Sequence, residues 1–95
     1  MRRVVPKPFP TEPSLREPAE LGRAVRAART ESGLTIEQAA RGLGIAKQTL
    51  SDLEQGAPTV SLGTALHAAT QLGVALFMAP AARRELIRTQ LQSSP

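Results

Sequence analysis

The sequence predicts an all-α fold of four to five short helices with one short C-terminal β-strand that forms a two-stranded sheet with a second copy of itself. Three observations point to it. Apolar residues recur at helical spacing along most of the chain, two of the helical stretches meet at Gly44, and a run of five apolar residues, Val74 to Met78, stands between Gly73 and Pro80.

Residues 1–17 hold Pro6, Pro8, Pro10 and Pro13 among charged side chains, a pattern no helix accommodates, so this segment reads as an extended or disordered arm. It is either a passive tail, or a minor-groove arm through Arg2 and Arg3, or a docking segment for a partner protein. Residues 18–73 read as the helical domain. Pro18 suits a first helical position, and Glu20 places a negative charge in the first turn. Leu21, Val25 and Ala28 then face inward until Gly33.

Thr35-Ile36-Glu37-Gln38 fits a capping box, which starts a second helix at about Ile36 with Ile36, Ala39, Ala40 and Leu43 on one stripe. Gly44 leaves that helix where a tight turn demands a left-handed residue, and Ile45 plugs the corner. A third helix resumes from Ala46. Leu50 and Leu53 face in, Lys47, Gln48, Ser51, Asp52 and Gln55 share the opposite face, and Gly56 and Pro58 stop the helix.

Ser61 is a good N-cap for a fourth helix, whose stripe reads Leu62, Ala65, Leu66, Ala69 and Leu72 before Gly73. His67 lies beside that stripe as a boundary residue and is given no chemistry. Residues 74–95 form a last unit. Val74, Ala75, Leu76, Phe77 and Met78 read as a strand buried on both faces, and a strand needs an edge to pair with. The only other β-like stretch is Val4-Val5, so the simplest partner is the same strand across a two-fold axis, giving a homodimer; packing on the fourth helix within one chain is the alternative. Beyond Pro80, Ala82, Leu86, Ile87 and Leu91 fall at helical spacing with Arg83, Arg84 and Arg88 outward. That last helix extends the dimer interface or binds another protein.

An exposed helical face of Lys, Gln, Ser and Asp is by default a solvated surface. Behind a glycine corner and a preceding helix it takes on a second meaning, because a short helix held at a fixed angle is how a protein enters the major groove. Gln pairs bidentately with adenine there, and Lys reaches the N7 and O6 of guanine.

Leu21 to Leu72, with Arg26, Arg29, Gly33-Leu34-Thr35, Ala40, Gly44-Ile45, Leu50-Ser51, Leu53-Glu54 and Gly56, resembles the phage-repressor and Cro-like (XRE) helix-turn-helix family over about half of the chain. The tail, Pro58 to Leu62 followed by Leu72 to Met78, is most similar to the HipB-type antitoxins. The resemblance implies base contacts from Lys47, Gln48 and Asp52, with Ser51 close by, and phosphate contacts from Thr35, Gln55 and Thr59. It also implies a structural pair, Arg29 with Glu54, tying the first helix to the end of the third. Three positions depart from the pattern. Ile36 stands where Gln is usual and removes a phosphate contact, Ala46 stands where Ser or Thr caps the third helix, and Asp52 turns an anion toward the groove.

Bulk properties narrow the remaining classes. The net charge of +4 over 95 residues suits a nucleic-acid partner, yet residues 21–60 hold five basic side chains against four acidic ones, a net of +1. Phe9 and Phe77 are the only aromatics, which argues against stacking on single strands. Zero cysteines exclude disulfides and cysteine-held zinc, and neither a membrane span nor an apolar signal core is visible, so a cytoplasmic, nucleoid-associated location is expected. No nucleophile–base pair, carboxylate dyad or metal cluster suggests an enzyme, and no cofactor or metal is expected. The expectation is a dimeric repressor of a palindromic operator in double-stranded DNA. The resemblance makes it the antitoxin of a HipA-like kinase toxin, which it neutralises while autoregulating its operon. A stand-alone regulator of the same family, or an interaction module that no longer touches DNA, are the alternatives.

Overall fold

The computed structural model describes residues 3–93. Five α-helices occur in order: α1 (Pro18–Glu31), α2 (Ile36–Leu43), α3 (Lys47–Glu54), α4 (Leu62–Gln71) and α5 (Arg84–Gln92), the last entered through a 3-10 turn over Ala81–Arg83. Pro18 occupies the start of α1, and the Glu20 carboxylate turns back to accept the backbone N–H groups of Arg16 at 2.5 Å and Glu17 at 2.8 Å. Those hydrogen bonds hold its pKa below the ordinary value.

The core lies where α1 to α4 converge, around Val25, Leu50, Leu53, Ala40 and the buried alanines of α4. α1 runs across α3, and they approach most closely at Gly22. A Cβ there would stand 2.6 Å from the Glu54 carbonyl oxygen and overlap that of Leu53, so a side chain is excluded by backbone alone. Val25 and Leu50, both fully buried, fill the space beside that crossing.

α4 corrects one expectation. Its inward face is Ala65, Ala68 and Ala69, while Leu62 and Leu66 point to solvent, with Leu62 72% exposed. Small residues let α4 lie close against α1 and α2. His67 reinforces this seating by donating Nε2–H to the Leu43 carbonyl oxygen, 3.1 Å away at the end of α2; a carbonyl can only accept, which fixes the proton on that nitrogen.

The C-terminal segment corrects another. Among the described residues no strand forms, and Val74 alone of the five apolar residues is buried. Its N–H bonds to the Ala69 carbonyl at 2.8 Å after the left-handed Gly73, so it completes the end of α4. Leu76, Phe77 and Met78 are exposed, Phe77 by 74% and Met78 by 99%. The physical reason is that one chain offers this segment no second edge.

The arm is extended and docked. The Lys7 N–H bonds to the buried Thr30 hydroxyl at 2.9 Å, Glu12 accepts from Arg88 Nε at 2.7 and 3.0 Å, and Gln92 donates to the Thr11 carbonyl at 3.1 Å. Arg88, expected to point outward, therefore clamps α5 to the arm. Arg2, one of the two expected minor-groove residues, lies outside the described residues, and Arg3 is exposed.

Candidate nucleic-acid interface

The turn between α2 and α3 is set by local chemistry. The Thr35 hydroxyl accepts the Gln38 N–H at 3.1 Å and the Gln38 side chain accepts the Thr35 N–H at 2.8 Å, closing a reciprocal cap on α2. Gly44 ends α2 at φ 73°, a conformation that costs a residue with a Cβ energy even in open space. Ile45 N–H reaches back to the Ala40 carbonyl at 3.1 Å, which points the chain into α3.

α3 begins at Lys47 after Ala46, whose side chain supplies no cap. An uncapped start costs about 1 kcal/mol relative to Ser or Thr. The helix is held from behind instead. Arg29 on α1 forms a two-pronged ion pair with Glu54, Nε to Oε2 at 2.6 Å and Nη2 to Oε1 at 2.9 Å, with the two side chains only 10% and 6% exposed. Its remaining prong donates to the Leu34 carbonyl at 2.9 Å, so one guanidinium ties α1, the α1–α2 turn and the end of α3 together.

With its apolar side pinned by Leu50, Leu53 and Glu54, α3 turns Lys47, Gln48, Ser51 and Asp52 away from the core. Lys47 and Gln48 are exposed, whereas Ser51 and Asp52 are half-buried. These side chains are already engaged. Lys47 Nζ lies 3.3 Å from Glu37 Oε2 on α2, Gln48 Nε2 donates to Asp52 Oδ1 at 2.8 Å, and Gln55 Nε2 donates to Ser51 Oγ at 3.1 Å. The Lys47–Glu37 pair is solvent-exposed, and such pairs exchange partners at little cost.

The three residues expected at phosphate lie at the start of α2 and in the turn after α3. Thr35 caps α2 with its oxygen as acceptor, which leaves the hydroxyl proton to donate outward. Gln55 and Thr59 are exposed on the turn after α3. Glu37 was not anticipated as a neighbour of Lys47, because a contact across the turn leaves no periodic trace. Gln48 with Asp52 carries a visible signal, the i,i+4 spacing at which amide and carboxylate side chains meet on a helix. Among the described residues no group of His, Cys, Asp and Glu is arranged to hold a metal ion, and no helix is long and apolar enough to cross a membrane.

The fold recurs in known proteins. The helix-turn-helix domain family matches residues 20–86. The uncharacterized HTH-type transcriptional regulator y4mF of Sinorhizobium fredii (strain NBRC 101917 / NGR234) is 33% identical over 72 residues, covering 75% of this chain and 95% of that protein. Among solved structures, the protein of the HipB-O4 20mer complex superposes with a TM-score of 0.63 at 24% identity, over 72% of this chain and 96% of that one. A chain of the HipA-HipB-O2-O3 complex gives the same TM-score at 22% identity, with 72% and 96% covered. At these identities the structural likeness establishes a shared fold.

Proposed function

The chain belongs to the helix-turn-helix family of transcriptional regulators, and we propose that it is a dimeric repressor that reads a palindromic operator through α3. The observation that carries this reading is the outward polar face of α3, fixed at a set angle by the Gly44 corner on one side and the Arg29–Glu54 pair on the other. Base contacts fall to Lys47, Gln48 and Ser51, and backbone phosphates to Thr35, Gln55 and Thr59. Neutralising few phosphates gives a single copy weak binding with a shallow salt dependence, so two copies on one duplex are needed for useful affinity. The uncovered Leu76, Phe77 and Met78 supply the surface for that second copy, with the segment pairing edge to edge across a two-fold axis.

The fold shared with HipB, which is found in a complex with HipA, supports a finer assignment as the antitoxin of a HipA-like kinase toxin that neutralises its partner and represses its own operon. A regulator without a toxin is the second reading, supported by the 33% identical relative, which is described as a transcriptional regulator alone.

Binding of the full chain to its own upstream DNA across a salt series tests the proposal. A marked preference over unrelated duplex is expected, with affinity falling as salt rises. Gln48→Ala should cost about 1–3 kcal/mol and relax selectivity at one base pair. A response indifferent to sequence would overturn the DNA reading in favour of an interaction module.

A further inference from the structure

We infer that Asp52 is a positioning residue that sets which base Gln48 recognises, and that it reads no base of its own; the inference rests on the proposed DNA reading. Gln48 Nε2 lies 2.8 Å from Asp52 Oδ1, one helical turn further along α3. An ionised carboxylate has no proton to give, so the amide of Gln48 must present its NH2 group to Asp52. That requirement chooses between the two ways the amide can face. One N–H is consumed, the second remains, and the carbonyl oxygen is left as an acceptor on the exposed side.

A free donor beside a free acceptor is the pattern that matches N7 and the N6 amino group of adenine in the major groove. A glutamine without this tether turns over freely and offers the reverse pattern as readily. Asp52 is half-buried on the face of α3, with one oxygen already occupied by Gln48, whereas Gln48 is exposed. The carboxylate therefore acts through its neighbour. It has a second effect of the same sign, since an anion held close to the duplex weakens attachment to any sequence and leaves selectivity to the oriented amide.

The test uses the full chain and the duplex it prefers from a randomised pool, compared with duplexes carrying one altered base pair at each position. The readout is the ratio of affinities at each position, from which the general electrostatic gain of removing an anion cancels. Asp52→Ala should lower the ratio at the Gln48 position by roughly two- to fivefold, because only part of the amide population then faces the base correctly, while strengthening binding to unrelated DNA. Asp52→Asn, whose amide can donate as well as accept, no longer dictates which way Gln48 faces and should lower the ratio as well. Adding Asp52→Ala to Gln48→Ala should remove nothing more at that position.

Loss of selectivity at a different base pair in Asp52→Ala, additive with Gln48→Ala, would show that Asp52 reads a base directly and would overturn the inference. So would an unchanged ratio in Asp52→Ala, or an Asp52→Asn chain that keeps the parent ratio. In each of those cases the parent chain still selects a sequence and the DNA reading stands. A parent chain with no preference in the pool would remove that reading and the inference with it.

Discussion

The helical body and the segment beyond it are built on opposite terms. Between Leu21 and Val74 the chain buries every residue of its core, and the ion pair that spans it, Arg29 with Glu54, is withdrawn from water. From Ala75 onward no described residue is buried, although Leu76, Phe77, Met78, Leu86 and Leu91 are apolar, and the ion pair that holds α5, Arg88 with Glu12, is exposed. One region encloses a core and leaves only Leu62 and Leu66 of α4 wet among its large apolar residues, whereas the other encloses none of its own. The lesson is that the enclosed core ends near Gly73, and that the residues C-terminal to it carry exposed apolar surface without a core of their own.

The largest expected effect lies in the body. Glu54→Ala leaves the Arg29 guanidinium enclosed with one carbonyl partner, and stranding a buried cation costs about 3–5 kcal/mol. Denaturant unfolding should report it as a lowered midpoint, with α3 losing its support. Arg88→Ala, the parallel change at the other pair, should leave the body's midpoint where it was. Equal losses from the two variants would erase the distinction between the regions.

A smaller effect should appear at the exposed apolar segment. Phe77→Asp removes from the proposed dimer a side chain whose full burial contributes about 1.5–3 kcal/mol in each copy, and replaces it with a charge. Sedimentation should show dimer giving way to monomer, with helical content and unfolding midpoint of the monomer unchanged because Phe77 touches no core. A Phe77→Asp chain that remains dimeric would place the interface elsewhere, with the exposed Leu62 and Leu66 of α4 as the next surface to examine.

The same divide separates the features that were legible in the sequence from those that were not. Caps and corners are local, so Pro18, the Thr35–Gln38 box, Gly44 and Ser61 announce the helix boundaries within a residue or two of where they lie. The face of α3 was legible for the same reason, since Leu50 and Leu53 leave Lys47, Gln48 and Asp52 one direction to point. Close approach is not local. Nothing beside Gly22 in the sequence reveals that the carbonyls of Leu53 and Glu54 press against it. In α4 the expected stripe held at Ala65, Ala69 and the half-buried Leu72 but failed at Leu62 and Leu66, since side-chain size does not reveal that Ala68 rather than a leucine faces the neighbouring helices. The run Val74 to Met78 was legible as an extended apolar segment, but its pairing depends on an edge that this chain does not contain. The Pro-rich arm gave no sign that Thr11 and Glu12 would meet α5, some eighty residues away in the chain.

The smallest effect is a titration that should loosen the tail and spare the core. The Glu12 carboxylate accepts the Ser14 N–H at 3.0 Å and the Arg88 guanidinium, and these partners hold its pKa below the ordinary 4.5. A carboxylate whose pKa is lowered by docking favours the docked arm fully above its ordinary value, and that contribution vanishes as pH falls through the lowered one. Acidification should therefore release α5 first, seen as faster amide exchange over residues 84–92 while the amides around Leu50 stay protected. Glu20, lowered by its own backbone bonds at the start of α1, titrates toward the same acidic range, so the assignment needs Glu12→Gln. That variant should show fast exchange in α5 already at neutral pH and little further change on acidification, because the charge that Arg88 clamps is gone. If α5 in the parent chain stays as protected at acid pH as at neutral pH, the Glu12 contact does not hold the helix.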